Sequence, residues 1–245
     1  MTRSSRRVLP EALDELAADD PRGMRSRRDL QRVHRAMRSV SILRYAVSKL
    51  QLAVPPARIL ELGAGDGSLL LRFARALKPR WTDVELTLLD RHLLVSDRTH
   101  GAYAQLGWRL RLLRADALAW ASDRHERRYD LCIANLFLHH FDLPDLAALL
   151  RGVAASSDAF VACEPRRSGL ARIGSRLLAL LGANEITRGD AIKSVAAGFA
   201  GLELSAAWDS AAPDWIVEEY PALPFTHCYS AVRTAARAAG GSRGL

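Results

Sequence analysis

The 245-residue chain is predicted to be an α/β protein: a seven-stranded, mostly parallel sheet wound with helices, with an antiparallel C-terminal hairpin at one edge and a helical cap at the N-terminus. Three observations predict it. From Arg58 onward, short β-branched or Leu-rich runs alternate with helical stretches, the pattern of strands joined by crossover helices. A glycine-rich turn, Gly63-Ala-Gly-Asp-Gly67, links the first strand-like run to a helical one, where open parallel sheets bind ligands. The last strand-like runs are separated only by Tyr220–Phe225, too short for a parallel crossover of about a dozen residues, so they must pair antiparallel.

The first fifty residues read as helices over Glu11–Ala18 and Ser26–Leu50, with a break at Pro21–Gly23. Leu30, Val33, Met37, Val40, Ile42, Leu43, Ala46, Val47 and Leu50 recur at helical spacing and form an apolar stripe on a basic helix, which must pack on something. Pro55-Pro56 ends it. Strands are expected at Arg58–Leu62, Glu85–Leu89, Arg109–Arg114, Asp130–Ala134, Ala159–Cys163, Trp215–Glu219 and Thr226–Val232. Helices are expected at Ser68–Leu77, His92–Leu106, Leu143–Ala155, Leu170–Leu181 and Asp190–Phe199. The division that follows is a cap over residues 1–54 and a main domain over 55–245, with a helical insert at about 166–200.

Composition narrows the function classes. With 49% apolar and 25% charged residues the chain is expected to be globular rather than disordered or fibrous. Cys132, Cys163 and Cys228 are far apart in apolar runs, which suits buried thiols better than disulfides or a zinc site. The basic N-terminus lacks the apolar core of a signal peptide, and charged residues interrupt every apolar run before it reaches membrane-spanning length, so a soluble, cytoplasmic protein is expected. The net charge is +8, and residues 1–50, with twelve basic and six acidic side chains, hold +6 of it. A solvated helix face explains this most simply; attraction of an anionic small substrate or of nucleic acid are the other readings.

The chemistry begins at Arg58-Ile-Leu-Glu-Leu-Gly-Ala-Gly-Asp-Gly-Ser68. A dinucleotide fingerprint would require glycine at position 68, where serine stands, and the carboxylates of Glu61 and Asp66 would repel a diphosphate. A cationic or zwitterionic ligand suits the turn better. Here the chain resembles the class I S-adenosylmethionine-dependent methyltransferases, whose first motif has this acid-x-Gly-x-Gly-x-Gly form. Leu86-Thr-Leu-Leu-Asp90 is similar to their second strand with its ribose-binding carboxylate, and Arg114-Ala-Asp116-Ala117 to their adenine segment. Tyr129-Asp-Leu-Cys-Ile-Ala-Asn135 and Phe160-Val-Ala-Cys-Glu164-Pro165 are similar to their fourth and fifth strands. The resemblance covers about residues 57–232 and implies a Rossmann-like fold, with S-adenosyl-L-methionine as cofactor and S-adenosyl-L-homocysteine as product. It assigns the cofactor to Glu61, Gly63, Ala64, Gly65, Asp66, Gly67, Asp90, Arg91, Asp116, Ala117, Asn135 and Leu136. Asp116 also suits a helix N-cap.

Methyl transfer requires mainly alignment and removal of a proton from the acceptor. His139 and His140 follow the fourth strand, and the ordinary imidazole pKa of about 6.5 suits a base at neutral pH. By its similarity to the segment that supplies the base in small-molecule O-methyltransferases, Leu138-His-His-Phe141 puts His139 in that role, with His140 for packing or positioning. Asn135 is followed by Leu136-Phe137 rather than the Pro-Pro-Tyr of base-modifying relatives, which disfavours nucleic acid as substrate, and no carboxylate set for Mg²⁺ is evident, so no metal is expected. The chain further resembles bacterial methyltransferases of the ubiquinone and menaquinone type, some found beside type III polyketide synthases. That resemblance implies a hydroxyl of an aromatic polyketide, phenolic lipid or quinol as acceptor, with ring-carbon methylation as an alternative, and is compatible with a homodimer; the basic N-terminus leaves an RNA-directed or binding-only protein as the other reading. Arg166, Arg167 and Arg188 are expected to meet an anionic group of the acceptor, and the N-terminal helices to cap its pocket.

Overall fold

The structure, a computed structural model, describes residues 5–17, 19–77, 80–123, 128–208 and 214–237. Its sheet has seven strands in the order β3-β2-β1-β4-β5-β7-β6: β1 (Arg58–Leu62), β2 (Glu85–Asp90), β3 (Arg109–Arg114), β4 (Leu131–Asn135), β5 (Ala159–Pro165), β6 (Trp215–Ala222) and β7 (Thr226–Arg233). Strands β1 to β5 run parallel, while β7 pairs antiparallel with both β5 and β6, as expected from the short linker. Strand order reverses between β1 and β4, which opens a crevice at the carboxyl ends of these strands. The inner strands β1, β4 and β5 are buried on both faces, so they read as continuous apolar runs; the edge strand β3 keeps Arg109, Arg111 and Arg114.

Two apolar layers cover the sheet. One packs Leu70 and Phe73 of α4 (Ser68–Leu77) and Tyr103 of α5 (Asp97–Ala104) on alternate residues of β1, β2 and β4. The other packs Trp120 of α6 (Ala117–Ser122), Leu146, Leu149 and Leu150 of α7 (Leu143–Ser156) and Leu204 of α10 (Glu203–Ala207) on the opposite face. The cysteines are free and buried, as expected.

The N-terminal region departs from expectation. After a short α1 (Ala12–Glu15), Pro21 does not break a helix but starts one: α2 spans Pro21–Ala36, with proline at its first turn and Asp20 accepting from the Arg22 amide as N-cap. The expected single helix over Ser26–Leu50 is broken at Arg38, which has a left-handed φ of 56°, before α3 (Ser39–Lys49). The apolar stripe therefore divides. Ile42, Leu43, Ala46, Val47 and Leu50 join the core beneath the sheet, while Leu30, Val33 and Met37 face the crevice. Ala18, in the helix expected over Glu11–Ala18, lies outside the described residues. The helix expected from His92 starts at Asp97, capped by Ser96; that expected from Asp190 starts at Glu185, capped by Asn184, to form α9 (Glu185–Ala197). The insert begins with α8 (Gly169–Arg176), which tightens into a 3-10 segment, Leu177–Leu181.

Candidate active site

A cavity of about 810 Å³ lies at the carboxyl ends of the strands, walled by the glycine turn, the tips of β2 and β4, α2 and the insert. The turn needs its glycines for different reasons. A Cβ at Gly63 would stand 2.2 Å from the Phe137 ring, and one at Gly67 would stand 2.8 Å from Leu88 Cδ1. At Gly65 (φ +56°) a Cβ would meet nothing within 4 Å and would point into open space, so this backbone faces whatever the cavity receives. Gly67, expected to touch the cofactor, does not line the cavity: it packs over β2, and its carbonyl accepts from Tyr103 Oη at 2.8 Å. The other expected cofactor residues, Glu61, Gly63, Ala64, Gly65, Asp66, Asp90, Arg91, Asp116, Ala117, Asn135 and Leu136, all line it.

The acids there have different duties. Asp90 Oδ2 accepts from the Gly65 amide at 2.8 Å and Oδ1 from the His92 amide at 2.7 Å, so the carboxylate at the tip of β2 also holds the turn in shape. Asp66 caps α4 through the Ser68 amide at 2.9 Å and accepts from Gln31 Nε2 of α2 at 2.6 Å. Asp116 caps α6 through the Leu118 and Ala119 amides, with its side chain at the cavity wall. Glu61 differs: it is 3% exposed and its Oε2 has no hydrogen-bond partner among the described residues. Burial pushes its carboxyl well above the usual range, and the charges of Asp66 and Asp90 push it further. An orphaned acid beside two others is costly unless the cavity receives a cationic group. On the β4 side, the buried Asn135 Nδ2 is likewise unpartnered among the described residues.

The end of β4 is held by Glu164 of β5. Its Oε1 accepts from the amides of Phe137 (3.0 Å) and Leu138 (2.9 Å), and its Oε2 from the amide (3.3 Å) and Nδ1 (2.8 Å) of His139. These bonds secure a tight turn in which Leu136 takes a left-handed φ of 51°, rare for a branched side chain, ahead of a 3-10 turn, Leu138–His140. His139 is 3% exposed, and its Nε2 stands 3.4 Å from Glu11 Oε1. Burial alone would lower its pKa, but Glu11 and Glu164 together push it up to about 9, which favours the charged form at neutral pH over the ordinary imidazole the sequence suggests. His140 Nδ1 lies 3.2 Å from Asp14 Oδ2. Burial would raise the Glu11 and Asp14 carboxyls, but bonding and attraction to these histidines hold both below the usual range. Ligand-type atoms of Glu11, His139 and His140 fall within 4.8 Å of one another. The His139 Nε2–Glu11 approach is an ion-pair distance rather than a hydrogen bond, and Nε2 has no hydrogen-bond partner among the described residues.

An N-terminal strap delivers Glu11 and Asp14, which no motif marked. Asp190 of α9 accepts from the Ala12 and Leu13 amides at 2.8 and 3.0 Å, Lys193 Nζ donates to Pro10 O, and Ser194 Oγ bonds Glu11. Arg6 donates to the carbonyls of Ala197 (2.7 Å) and His139 (3.2 Å) and lies 4.6 Å above the Phe199 ring. His34 of α2 also lines the cavity; burial and the nearby Arg72 guanidinium hold it below the usual histidine range, which makes it a neutral imidazole hidden in a basic run. The three arginines expected at the acceptor are elsewhere. Arg167 pairs with Glu203 and donates to Gly198 O, Arg188 is exposed, and neither they nor Arg166 line the cavity. For Arg167 the reason is its partner: Glu203, which it pairs with, lies outside the cavity wall.

Residues 59–157 match a family model described as a methyltransferase domain. No curated protein matches the chain by sequence. Among solved structures, the plantazolicin methyltransferase BpumL in complex with SAH is similar over 91% of this chain and 94% of its own, with a TM-score of 0.63 at 14% identity. The plantazolicin methyltransferase BamL, in complex with a triazolic desmethylPZN analog and SAH, is similar over 87% of this chain and 91% of its own (TM-score 0.62, 13% identity). An O-methyltransferase family protein from Burkholderia thailandensis is similar over 88% of this chain and 61% of its own (TM-score 0.55, 16% identity). With β1 to β5 parallel, the hairpin at the edge and the glycine turn at the crevice, the chain has the Rossmann-like methyltransferase fold.

Proposed function

We propose that the protein transfers a methyl group from S-adenosyl-L-methionine to a small-molecule acceptor and releases S-adenosyl-L-homocysteine. The observation that carries this reading is the glycine turn: Gly65, whose amide donates to Asp90 at the tip of β2, faces open cavity, and Glu61, whose Oε2 has no partner among the described residues, lines the same cavity. This donor set suits a ligand with a cationic end and a diol. When bound, the cofactor supplies a methyl group activated by a sulfonium. Glu61 and Asp66 balance positive charge, Asp90 accepts from the ribose hydroxyls, Arg91, Asp116 and Ala117 border the adenine side, and Asn135 and Leu136 border the reacting end. Residues Leu30, Val33 and Met37 of α2 and Phe137 and Val195 present an apolar wall to the acceptor.

The acceptor in this reading is a hydroxyl of an aromatic polyketide, phenolic lipid or quinol, and His139 handles its proton. Charged through Glu11 and Glu164, His139 passes its Nε2 proton to Glu11 Oε1, 3.4 Å away, more readily once a second positive charge shares its cavity. Its Nδ1–H stays with Glu164, which leaves Nε2 to take the proton of the acceptor. His140, anchored on Asp14, positions the acceptor. His139→Gln should lower turnover by about 10²–10⁴-fold. The decisive experiment is calorimetric titration of the full chain with S-adenosylhomocysteine, followed by methyl-donor turnover against phenols, resorcinols, quinols and pyrone acids. A folded protein that binds no S-adenosylhomocysteine refutes the reading.

A further inference from the structure

The mouth of the cavity opens beside an apolar surface that none of the described residues covers. Leu170 and Ile173 of α8 are 55% and 57% exposed, and Leu177 and Leu180 of the following 3-10 segment 52% and 81%. At about 100° per residue, Leu170, Ile173 and Leu177 fall within an arc of about 60°, so they form one stripe. Ala171 and Ser175, on another side of the helix, pack inward, and the exposed Arg172 and Arg176 lie between that buried side and the stripe. Large aliphatic side chains exposed together, rather than singly, mark an interaction surface. The stripe is continuous with the interior: Leu177 and Leu180 are at once exposed and part of the cavity wall.

The neighbourhood is basic. Helix α2, which carries much of the N-terminal positive excess, runs beside this segment, with Arg32 reaching the Gly182 carbonyl at 3.5 Å and Ser26 Oγ bonding Asn184 at 3.0 Å. Apolar side chains flanked by arginines, on a short amphipathic element, suit insertion at the boundary between acyl chains and anionic headgroups, with the arginines at headgroup level. A protein partner would have to bring an acidic rim to the same stripe; an anionic bilayer supplies both halves of the complement at once. We propose that α8 and the 3-10 segment dock the protein on an anionic membrane surface, with the cavity mouth facing the bilayer. The proposal stands on this surface alone and is independent of the reaction assigned to the cavity.

The test is co-sedimentation of the full chain with phosphatidylcholine vesicles with and without phosphatidylglycerol, at low and high salt. Wild type should bind the phosphatidylglycerol vesicles, and high salt should weaken but not abolish binding. The Leu170→Glu/Ile173→Glu variant alters residues outside the cavity wall and should bind at least tenfold more weakly, with unchanged thermal unfolding and circular dichroism. Arg172→Glu/Arg176→Glu should lose the preference for phosphatidylglycerol. Absence of vesicle binding by wild type, equal binding to both vesicle types, or full binding by the Leu170/Ile173 variant would each overturn the proposal. So would a wild-type dimer that the same variant turns into a monomer, since a second copy of the chain would then be the occupant.

Discussion

Raising the pH should destabilise this protein through one histidine. His139 is buried between Glu164, at 2.8 Å, and Glu11, at 3.4 Å, and its pKa is pushed up to about 9 against an ordinary 6.5. A folded-state pKa above the unfolded one contributes stability that is complete below about pH 6.5 and is lost as pH rises through about 9. The difference between the two values corresponds to about 3 kcal/mol, or roughly 6–12 °C in Tm for a chain of this size. Glu11 works in the opposite direction: held below the usual range, it loses its contribution as pH falls, so stability should peak in the mildly acidic to neutral range. Thermal unfolding followed by circular dichroism from about pH 6 to about pH 10 should be measured for wild type and His139→Gln, because all other groups titrate in both proteins. The advantage of wild type should be largest at the acidic end and should shrink toward alkaline pH. Parallel curves, or a His139 ring resonance that titrates at or below the ordinary value, would refute the ion-paired cation.

Other perturbations test the cavity. Gly65→Val forces a branched side chain at φ +56° into open cavity and should abolish calorimetric binding of S-adenosylhomocysteine in a folded protein, while Asp90→Ala should weaken it by about 1.5–3 kcal/mol. Glu61→Gln relieves an acid whose raised pKa costs stability as pH climbs above the ordinary carboxyl range; it should raise Tm at neutral pH yet weaken binding of the same ligand. Deleting residues 1–38 cuts at the natural break at Arg38 and spares α3; it should leave S-adenosylhomocysteine affinity within a few-fold of wild type and eliminate turnover, and normal turnover would show that the strap and α2 do not close the acceptor site.

Much of this molecule is legible in one dimension because its causes are local. Buried parallel strands must be apolar throughout, so β1, β4 and β5 announce themselves, and the turn after β1 requires glycines that no other residue replaces cheaply. The hairpin followed from linker length alone, and the resemblance to methyltransferase motifs singled out Asp90 and Asn135, both of which line the cavity. What tertiary structure alone decided are the interactions between parts distant in sequence. Glu11 and Asp14 meet His139 and His140 across more than a hundred residues, and that encounter, together with Glu164, raises the His139 pKa above the ordinary imidazole value. No periodicity foretells the break at Arg38, which sends one half of an apolar stripe into the core and the other to the cavity, because its cause is the surface each half must cover. Arg167 reads in sequence as a free charge near the site, but Glu203 claims it in space, since a charge is placed by its partners and only the folded chain supplies them.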